Sequence, residues 1–308
     1  MLPKPADPAA AAYWELTVTL GADAAETAEA VTNRLWELGA VGVVEEVAVG
    51  GAMLRAFFPP GTDGTALAAD LGDYLADLAA LAVPGAAARV AVAPLRDEPW
   101  ADAWRTYFRP IAVGRGLLVC PPWESPEPAL EDGRMVVLIE PGRAFGTGGH
   151  GSTRGCLELL ECALDGAGAG VPHALDVGCG SGILAIAAAR LGVARVDAID
   201  VDPDAVAATE ENARRNAVAD RVRASVATVD AWAGPPAPLL LANLLAPAHL
   251  TLAPALAGLL TPGGSLVAGG LLAHEVPAVA GAFAAAGCWL VEVAEHEGWA
   301  TLLLRRGG

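Results

Sequence analysis

The second part of the chain alternates short apolar segments with segments of helical periodicity, and this order constrains the fold most. From residue 172 a segment typical of a buried strand precedes one typical of a helix, and this pair recurs along the chain. Thr-Pro-Gly-Gly at 261–264 is typical of a turn that precedes a strand. The last two segments, at 288–298 and 299–306, are typical of two paired strands. Strands that alternate with helices predict a parallel, doubly wound sheet. We therefore expect an α/β domain with a seven-stranded sheet that ends in an antiparallel hairpin.

The N-terminal part has a different order. Strands are predicted at 13–20, 41–49, 52–58 and 88–95, with helices at 23–38, where Asp23 is the candidate cap, and at 65–82. The order β-α-β-β-α-β predicts a small α+β, ferredoxin-like domain. Residues 97–109, with Trp100, Trp104 and Phe108, are typical of a connecting helix whose aromatic side chains pack at a domain junction. We expect a ferredoxin-like domain at 1–96, a linker helix at 97–115 and the second domain at 116–308.

The net charge of the chain limits the classes of partner that the protein can be expected to bind. Of 308 residues, 19 are Lys or Arg and 36 are Asp or Glu, which gives a net charge of −17. Phosphate contacts need clustered cations, so this balance argues against a nucleic-acid partner and against an anionic membrane surface. It favours a small-molecule site or a basic partner. Residues 1–98 alone carry five cations and fourteen carboxylates, although this acidity is also typical of the rest of the chain.

Cysteine usage and hydropathy indicate the compartment. The five cysteines are scattered and form no C-x-x-C pair, so neither a disulfide framework nor a zinc site is predicted. The first twelve residues lack the apolar core of a signal peptide. No charged residue lies between Asp230 and Glu275, but prolines and glycines divide this stretch into pieces too short for a membrane span. We expect a cytoplasmic protein with no metal and no membrane anchor.

The strongest local signal runs from Leu175 to Gly182, Leu-Asp-Val-Gly-Cys-Gly-Ser-Gly, between a predicted strand and a predicted helix. Glycines there allow a ligand to approach the backbone, and the helix that follows offers free N–H groups. Asp200 comes 22 residues after Gly178, at the end of the next predicted strand. A carboxylate at that position can bind a ribose diol. Strand, loop, helix, strand and acid together predict a nucleotide-like ligand.

The spacing of the glycines indicates which ligand. A dinucleotide fingerprint G-x-G-x-x-G needs glycine at 183, where this chain has Ile183. The pattern G-x-G-x-G, with Asp176 ahead of it, resembles motif I of class I S-adenosylmethionine-dependent methyltransferases. That resemblance implies S-adenosylmethionine as cofactor, bound by Gly178, Gly180 and Asp200. A nicotinamide dehydrogenase and a tight turn without a ligand are the alternatives.

A second segment, from Glu140 to Thr153, is rich in glycine and hydroxyl groups and precedes the helix that leads into the glycine loop. Together with Asn243-Leu-Leu-Ala246, Val119-Cys-Pro-Pro-Trp123 and the aromatic pattern at 100–110, it resembles the ribosomal protein methyltransferase A family. The resemblance covers nearly the whole chain and is tightest over 97–305. It implies a small N-terminal substrate-binding domain, a C-terminal class I methyltransferase domain, and methylation of lysine or N-terminal amines of large-subunit ribosomal protein eleven.

The family's loop reads F-G-T-G-T-H-P-T-T, and residues 145–153 of this chain match it except at Gly149, Gly151 and Ser152. The resemblance implies that Phe145, Thr147 and Thr153 contact the cofactor. It also places Asn243 at the point of methyl transfer, as cofactor contact and catalytic residue. The two additional glycines raise the entropy cost of ordering the loop.

Several of these residues have a purely structural alternative. Thr153 is a candidate N-cap of the helix that follows it, and Asn243 a strand-end residue that satisfies backbone groups. Asp202 is more typical of a helix N-cap than of a second ribose ligand. Asp230 follows the third strand of the second domain, where class I enzymes often contact adenine, but a solvated loop carboxylate fits equally.

Two further residues have reactive side chains. Cys179 fits a small side chain in a tight turn better than a nucleophile, because no base is implied beside it. His150 is a candidate for proton handling or for stabilising the loop. For the whole chain, two alternatives stay open: the same fold acting on another protein lysine or a small molecule, and a non-catalytic cofactor-binding homologue.

Overall fold

The computed structural model describes residues 13–21, 24–40, 42–48, 51–58, 61–81, 83–86, 88–95, 108–125, 133–141, 146–166 and 170–308. The chain divides between Phe108 and Arg109 into two compact units, here the N-terminal and the C-terminal unit. Most of the linker helix predicted over 97–115 lies outside the described residues, as do Trp100 and Trp104. Its predicted end is wrong, because residues 111–113 pair with a neighbouring strand of the C-terminal unit.

The N-terminal unit has the predicted order of elements. These are β1 (Tyr13–Thr19), α1 (Ala25–Glu37), β2 (Gly42–Ala48), β3 (Gly51–Phe58), α2 (Gly64–Ala80) and β4 (Arg89–Leu95). The strands lie in the order β2-β3-β1-β4 and every pair is antiparallel. Apolar side chains from the sheet and both helices, among them Leu16, Leu35 and Leu71, form a buried core. The ferredoxin-like prediction is confirmed, while the predicted cap Asp23 lies outside the described residues.

The C-terminal unit begins with a small sheet and continues with the alternating pattern. Its elements are β5 (Ile111–Val113), β6 (Leu117–Cys120), β7 (Met135–Leu138), α3 (Gly151–Asp165), β8 (Ala174–Val177), α4 (Ile183–Arg190), β9 (Val196–Asp200), α5 (Pro203–Arg215), β10 (Val222–Val226), β11 (Ala237–Asn243), α6 (Ala246–Gly258), β12 (Leu260–Leu272), a 3-10 turn (Ala273–Glu275), α7 (Val276–Ala285), β13 (Cys288–His296) and β14 (Trp299–Arg306).

The large sheet has the order β10-β9-β8-β11-β12-β14-β13. The first five strands are parallel, and β14 pairs antiparallel with both β12 and β13, which confirms the seven-stranded sheet with a terminal hairpin. The strand order reverses between β8 and β11. Ligands of open α/β sheets bind outside the carboxyl ends of the strands at such a switch point, so this edge is where a site is expected.

Two apolar clusters cover the faces of this sheet. One includes side chains of α3, α4 and α5, and the other includes side chains of α6 and α7. No helix in the part of the chain that the structure describes is long and apolar enough to cross a membrane. The uncharged stretch before Glu275 is instead divided among β11, α6 and β12.

One sequence prediction for this sheet is wrong. The segment 261–264, Thr-Pro-Gly-Gly, was expected as a turn before a strand, but it lies within β12. The pairing register between β11 and β12 shifts between Ala237 and Leu239, and Gly263 has a φ of +73°. A bulge of this kind takes up extra residues without ending the strand.

The small sheet, β5-β6-β7, is fixed to the rest of the C-terminal unit at two places. The buried Glu161 of α3 accepts the backbone amides of Arg115 and Gly116, each at 2.8 Å. At the end of β7, Leu138 donates its amide to Asn216 Oδ1 at 2.8 Å and accepts from Asn216 Nδ2 at 2.6 Å. These contacts hold the strands that lead into the loop before α3.

Candidate active site at the carboxyl edge of the sheet

The glycine loop between β8 and α4 folds back on the neighbouring strand. Gly178 donates its amide to the carbonyl of Ile199 at 2.8 Å, and Gly182 donates to the carbonyl of Cys179 at 2.8 Å. Gly178, Gly180 and Gly182 have φ values of +72°, +53° and +80°. This left-handed region favours glycine, so the three glycines of the motif are required by the backbone of the loop.

Space also requires glycine here. A Cβ atom at Gly178 would lie 2.6 Å from Leu244 Cδ2, and one at Gly182 would lie 2.8 Å from Thr209 Cγ2. The loop therefore packs directly against the residue that follows β11 and against α5. The predicted glycine loop is confirmed as a close backbone turn at the switch point of the sheet.

Asp200 stands at the end of β9 and bonds the glycine loop. Its Oδ2 accepts the amide of Gly180 at 3.0 Å, and its Oδ1 accepts the amide of Asp202 at 3.0 Å. The side chain is partly exposed, and an ionised carboxylate has further lone pairs that can accept from a diol. Asp202 accepts the amide of Asp204 at 2.8 Å and caps α5, which confirms its predicted capping role.

Asp176 is fully buried two residues before the glycine loop. Its Oδ2 accepts the amide of Ala185 at 3.1 Å, whereas its Oδ1 is buried with no hydrogen-bond partner among the described residues. Burial raises the pKa of this carboxyl to about 7, and the charge of Asp200 acts in the same direction. A carboxyl of this kind binds its proton near neutral pH.

The segment before α3 contacts the glycine loop. Ser181 donates its hydroxyl to the carbonyl of Gly146 at 2.6 Å. Gly148 has a φ of +90°, and a Cβ there would lie 2.6 Å from Val119 Cγ1. Thr147 lies between these two anchored glycines and is partly buried. Phe145, the other predicted cofactor contact of this loop, lies outside the described residues.

The N-cap of α3 is His150 and not Thr153. His150 Nδ1 accepts the amide of Ser152 at 3.4 Å, while Thr153 lies inside the helix. The capping alternative for Thr153 is therefore wrong. Its side chain is completely buried, and Oγ1 has no hydrogen-bond partner in the described part of the chain. A buried hydroxyl without a partner costs free energy unless a bound group satisfies it.

Asn243 ends β11, in register with Gly269 of β12. Its Nδ2 donates to the Ser152 hydroxyl at 3.2 Å, and its Oδ1 is buried without a partner among the residues described. Among the described residues, the Asn243 side chain bonds another side chain and no backbone group. The alternative that Asn243 satisfies backbone groups at the strand end therefore has no support. The structure thus brings the first turn of α3 and the end of β11 together.

Two further residues near these groups, His249 and Trp299, have no recognisable signal in the sequence. His249 is fully buried in α6, and its Nε2 bonds the carbonyl of Gly269 at 2.8 Å, while burial lowers the pKa of its imidazole. Trp299 begins β14 and lies against the His150 ring, with 4.6 Å between ring centroids. A single histidine in an apolar helix and a tryptophan far along the chain carry no local signal of proximity to a site.

The two reactive side chains have structural roles. Cys179 is buried and accepts the hydroxyl of Thr209 at 3.3 Å, and burial raises the pKa of its thiol. Such a thiol is a poor nucleophile, as expected. Burial lowers the pKa of His150 to about 4, which leaves it a weak base that caps the helix.

Asp230 follows β10 and is exposed. It lies four residues after the strand end, in the loop where Ala227 donates its amide to the carbonyl of Asp200 at 2.9 Å. The adenine contact and the solvated carboxylate both stay predictions for this residue.

The three departures from the family loop have separate consequences. Gly149 is exposed, and a Cβ there would meet nothing nearer than Ile111 Cδ1 at 3.6 Å, so this glycine is not required by packing. At Gly151 a Cβ would lie 2.5 Å from the His296 carbonyl oxygen, since the turn before β14 fills that space. Ser152 retains a hydroxyl, and that hydroxyl is the one that bonds Asn243.

These residues fit a polar, nucleoside-like cofactor. Asp176 Oδ1, Thr153 Oγ1 and Asn243 Oδ1 are three buried polar atoms without partners in the described residues. Asp176 and Asn243 belong to the adjacent strands β8 and β11, and Thr153 follows the serine that bonds Asn243. A bound group with hydrogen-bond donors and acceptors would satisfy them, and the glycine loop leaves its backbone open to close approach.

Comparison with known proteins agrees with this geometry. The family model described as ribosomal protein L11 methyltransferase (PrmA) matches residues 12–307. A ribosomal protein L11 methyltransferase of Pelobacter propionicus is 35% identical over 96% of this chain and 97% of its own. One of Trichlorobacter lovleyi is 43% identical over 65% of each chain. The crystal structure of a ribosomal protein L11 methylase from Lactobacillus delbrueckii subsp. bulgaricus is 29% identical with a TM-score of 0.59, covering 66% of this chain and all of that one. The chain therefore belongs to the ribosomal protein L11 methyltransferase family.

Proposed function

We propose that this protein transfers methyl groups from S-adenosylmethionine to lysine side-chain and/or N-terminal amines of ribosomal protein L11. Family membership supports the reaction and the cofactor. The single structural observation that carries the proposal is the bond between Gly180 and Asp200 at the switch point of the sheet. Through this bond the glycine loop lies against a strand-end carboxylate, the group that we propose to accept the ribose diol.

In this proposal the cofactor is held by the backbone of Gly178 and Gly180, by the Asp200 carboxylate and by the buried Thr153 hydroxyl. Thr147, Phe145 and Asp230 are further proposed contacts. When bound, S-adenosylmethionine supplies a methyl group already activated by a sulfonium. The protein itself then has to bind the cofactor and the substrate, orient the substrate amine toward the methyl group, and keep that amine neutral.

Asn243 is the proposed catalytic residue. Its Oδ1 is free to accept a hydrogen bond from the substrate amine, because its Nδ2 is engaged with Ser152. An amine attacks only in its neutral form, whereas a free lysine has a pKa of about 10.4. A partly desolvated slot favours the neutral amine. Orientation in an in-line displacement is worth roughly 7–11 kcal/mol in favourable cases, so no strong base is required.

We assign recognition of the protein substrate to the N-terminal domain predicted at 1–96. The stretch 1–98 carries five cations against fourteen carboxylates, which complements a basic ribosomal protein. Attraction of this kind weakens as salt rises. We propose a cytoplasmic enzyme, in keeping with a ribosomal protein substrate, and from the net charge of −17 we propose neither nucleic acid nor a membrane as a direct partner.

The test is methyl transfer from labelled S-adenosylmethionine to purified ribosomal protein L11, with mass mapping of the product and Asp200→Ala as the control. Label on lysines or on the N-terminal amine, absent in the control, supports the proposal. Cofactor binding by calorimetry without any label on L11 overturns the substrate and favours another protein lysine or a small molecule. Neither label nor cofactor binding would leave a non-catalytic member of the fold.

A further inference from the structure

We propose that Ser152 and His150 form a positioning relay that fixes the orientation of the Asn243 side-chain amide. The inference rests on the proposed function, which makes Asn243 the residue that orients the amine. The relay joins three side chains: Asn243 Nδ2 lies 3.2 Å from Ser152 Oγ, and Ser152 Oγ lies 2.8 Å from His150 Nδ1. Ser152, the middle residue of the relay, is 1% exposed, and His150 and Asn243 on either side of it are partly buried.

The direction of the bonds follows from the histidine. Burial lowers the pKa of His150 to about 4, so the ring is neutral at physiological pH. Its Nδ1 also faces the backbone amide of Ser152 at 3.4 Å, and a backbone amide only donates. Nδ1 is therefore an acceptor, and its one lone pair is shared between the long contact to the amide and the shorter contact, 2.8 Å, to the hydroxyl proton of Ser152.

The direction of that bond selects one orientation of the amide. Because the hydroxyl proton is committed to His150, Ser152 Oγ can only accept from Asn243. The NH₂ group of Asn243 then points to Ser152, and its oxygen points away from it. Rotating the amide by 180° would place two acceptors, Asn243 Oδ1 and Ser152 Oγ, against each other. The relay thus presents an acceptor, and not a donor, to the substrate amine.

The relay is anchored on the turn between β13 and β14. The His150 ring lies against Trp299, with centroids 4.6 Å apart. Arg154 of α3 pairs with Glu297 at 2.6 Å. One turn further along α3, Glu158 Oε2 lies 2.6 Å from His296 Nε2. These three contacts therefore hold the first two turns of α3 against the β13–β14 turn.

The kinetic test uses Ser152→Ala, Ser152→Thr and Asn243→Ala in the full-length protein. We expect Ser152→Ala to lower kcat by about 10- to 100-fold, the range of a misplaced catalytic group, and to leave the Kd for S-adenosylmethionine within threefold. Ser152→Thr, which keeps the hydroxyl, should restore kcat. In the Asn243→Ala background, Ser152→Ala should change kcat by less than twofold, because the relay has lost the group it positions.

Thr251→Ala is the matched control, because it removes an exposed hydroxyl of α6 that bonds only its own helix at 2.9 Å. If the two substitutions lower kcat independently in the double variant, Ser152 acts by a route other than Asn243, and the relay is overturned. Wild-type kcat in Ser152→Ala would overturn it as well. His150→Phe keeps a ring against Trp299 but removes the acceptor, and it should lower kcat as Ser152→Ala does.

A second readout needs neither substrate nor cofactor. The chain has four asparagines, Asn33, Asn212, Asn216 and Asn243, so selective ¹⁵N-asparagine labelling yields only four side-chain amide signals. The signal that Asn243→Ala removes should shift and exchange faster in Ser152→Ala, and return in Ser152→Thr. An unchanged signal would overturn the relay. A wild-type protein that transfers no methyl group to L11 would overturn the proposed function alone, since this measurement is independent of turnover.

Discussion

The amide nitrogen of Gly180 lies 3.0 Å from Oδ2 of Asp200, so the carboxylate proposed to bind ribose also holds the glycine loop. The same carboxylate accepts the amide of Asp202 through its other oxygen. Cofactor affinity and loop order are therefore coupled through one side chain. Removing it should affect both, whereas removing a neighbouring carboxylate should affect neither.

Asp200→Ala should weaken binding of S-adenosylmethionine by about 10- to 100-fold, because hydrogen bonds to a charged group contribute about 1.5–3 kcal/mol. Isothermal titration calorimetry measures the Kd. Asp202→Asn is the control, since asparagine caps helices as well as aspartate and should keep α5 and the affinity unchanged. Equal losses in both variants would contradict a specific role for Asp200.

Gly178→Ala should destabilise the protein and reduce cofactor affinity. The substitution forces alanine into a φ of +72° and places its Cβ 2.6 Å from Leu244 Cδ2. Gly263→Ala is matched in φ, at +73°, with no atom within 4 Å of the Cβ, and should cost only about 1–2 kcal/mol of backbone strain. Thermal denaturation and calorimetry of both variants isolate the contact with Leu244. If the two behave alike, that contact is unimportant.

Asp176→Asn should change how stability depends on pH. The folded protein raises the pKa of Asp176 to about 7, so between about pH 4 and pH 7 the folded state holds a proton that the unfolded state has lost. Its contribution to the free energy of unfolding therefore falls as pH rises through this window, by at most about 1.4 kcal/mol per pH unit. The Asp176→Asn variant has no carboxyl at this position, so its free energy of unfolding does not fall with pH for this reason.

Urea denaturation of both proteins at pH 5, 6, 7 and 8 measures the effect. The stability of Asp176→Asn relative to the wild type should increase from pH 5 to pH 7 and then level off. A difference that stays constant over this range would show that Asp176 titrates normally in the folded protein.

Thr153→Val should separate cofactor binding from folding. The buried Oγ1 has no partner among the described residues, so its removal should leave the melting temperature of the unliganded protein equal or higher. Cofactor affinity should fall by about tenfold, the value of one good hydrogen bond. Thr209→Val is the contrast, because the one hydroxyl proton of Thr209 is shared between the Gly180 carbonyl at 3.0 Å and Cys179 Sγ at 3.3 Å, and its loss should lower the melting temperature. An unchanged Kd in Thr153→Val would remove Thr153 from the site.

Local sequence patterns were sufficient to predict the backbone elements that carry the candidate site. The strand-loop-helix around Gly178, the acid at Asp200 and the terminal hairpin follow from periodicity and turn chemistry within about twenty residues, and all three are present. The turn expected at 261–264 does not end the strand, because β12 pairs with β11 on both sides of this segment, at Leu260 and again from Ser265, and no local pattern reports a neighbouring strand.

Contacts distant in sequence were not predictable in this way. Ser152 and Asn243 are 91 residues apart, and the partner of the His150 ring, Trp299, lies near the end of the chain. The capping alternative for Thr153 failed for a local reason, because His150 supplies the cap through a ring nitrogen instead of a hydroxyl. Side-chain geometry of this kind depends on how α3 packs against β11 and the final hairpin.

The proposed division of roles between Asp200 and Asn243 is tested by measuring kcat and the cofactor Kd of Asn243→Ala on the same preparation. We propose that the glycine loop and Asp200 bind most of the cofactor and that Asn243 orients the amine. We therefore expect kcat for methyl transfer to L11 to fall by about 100-fold or more, while the Kd for S-adenosylmethionine stays within severalfold of the wild type. Full turnover in this variant, or a kcat that falls only in proportion to lost cofactor affinity, would contradict these roles.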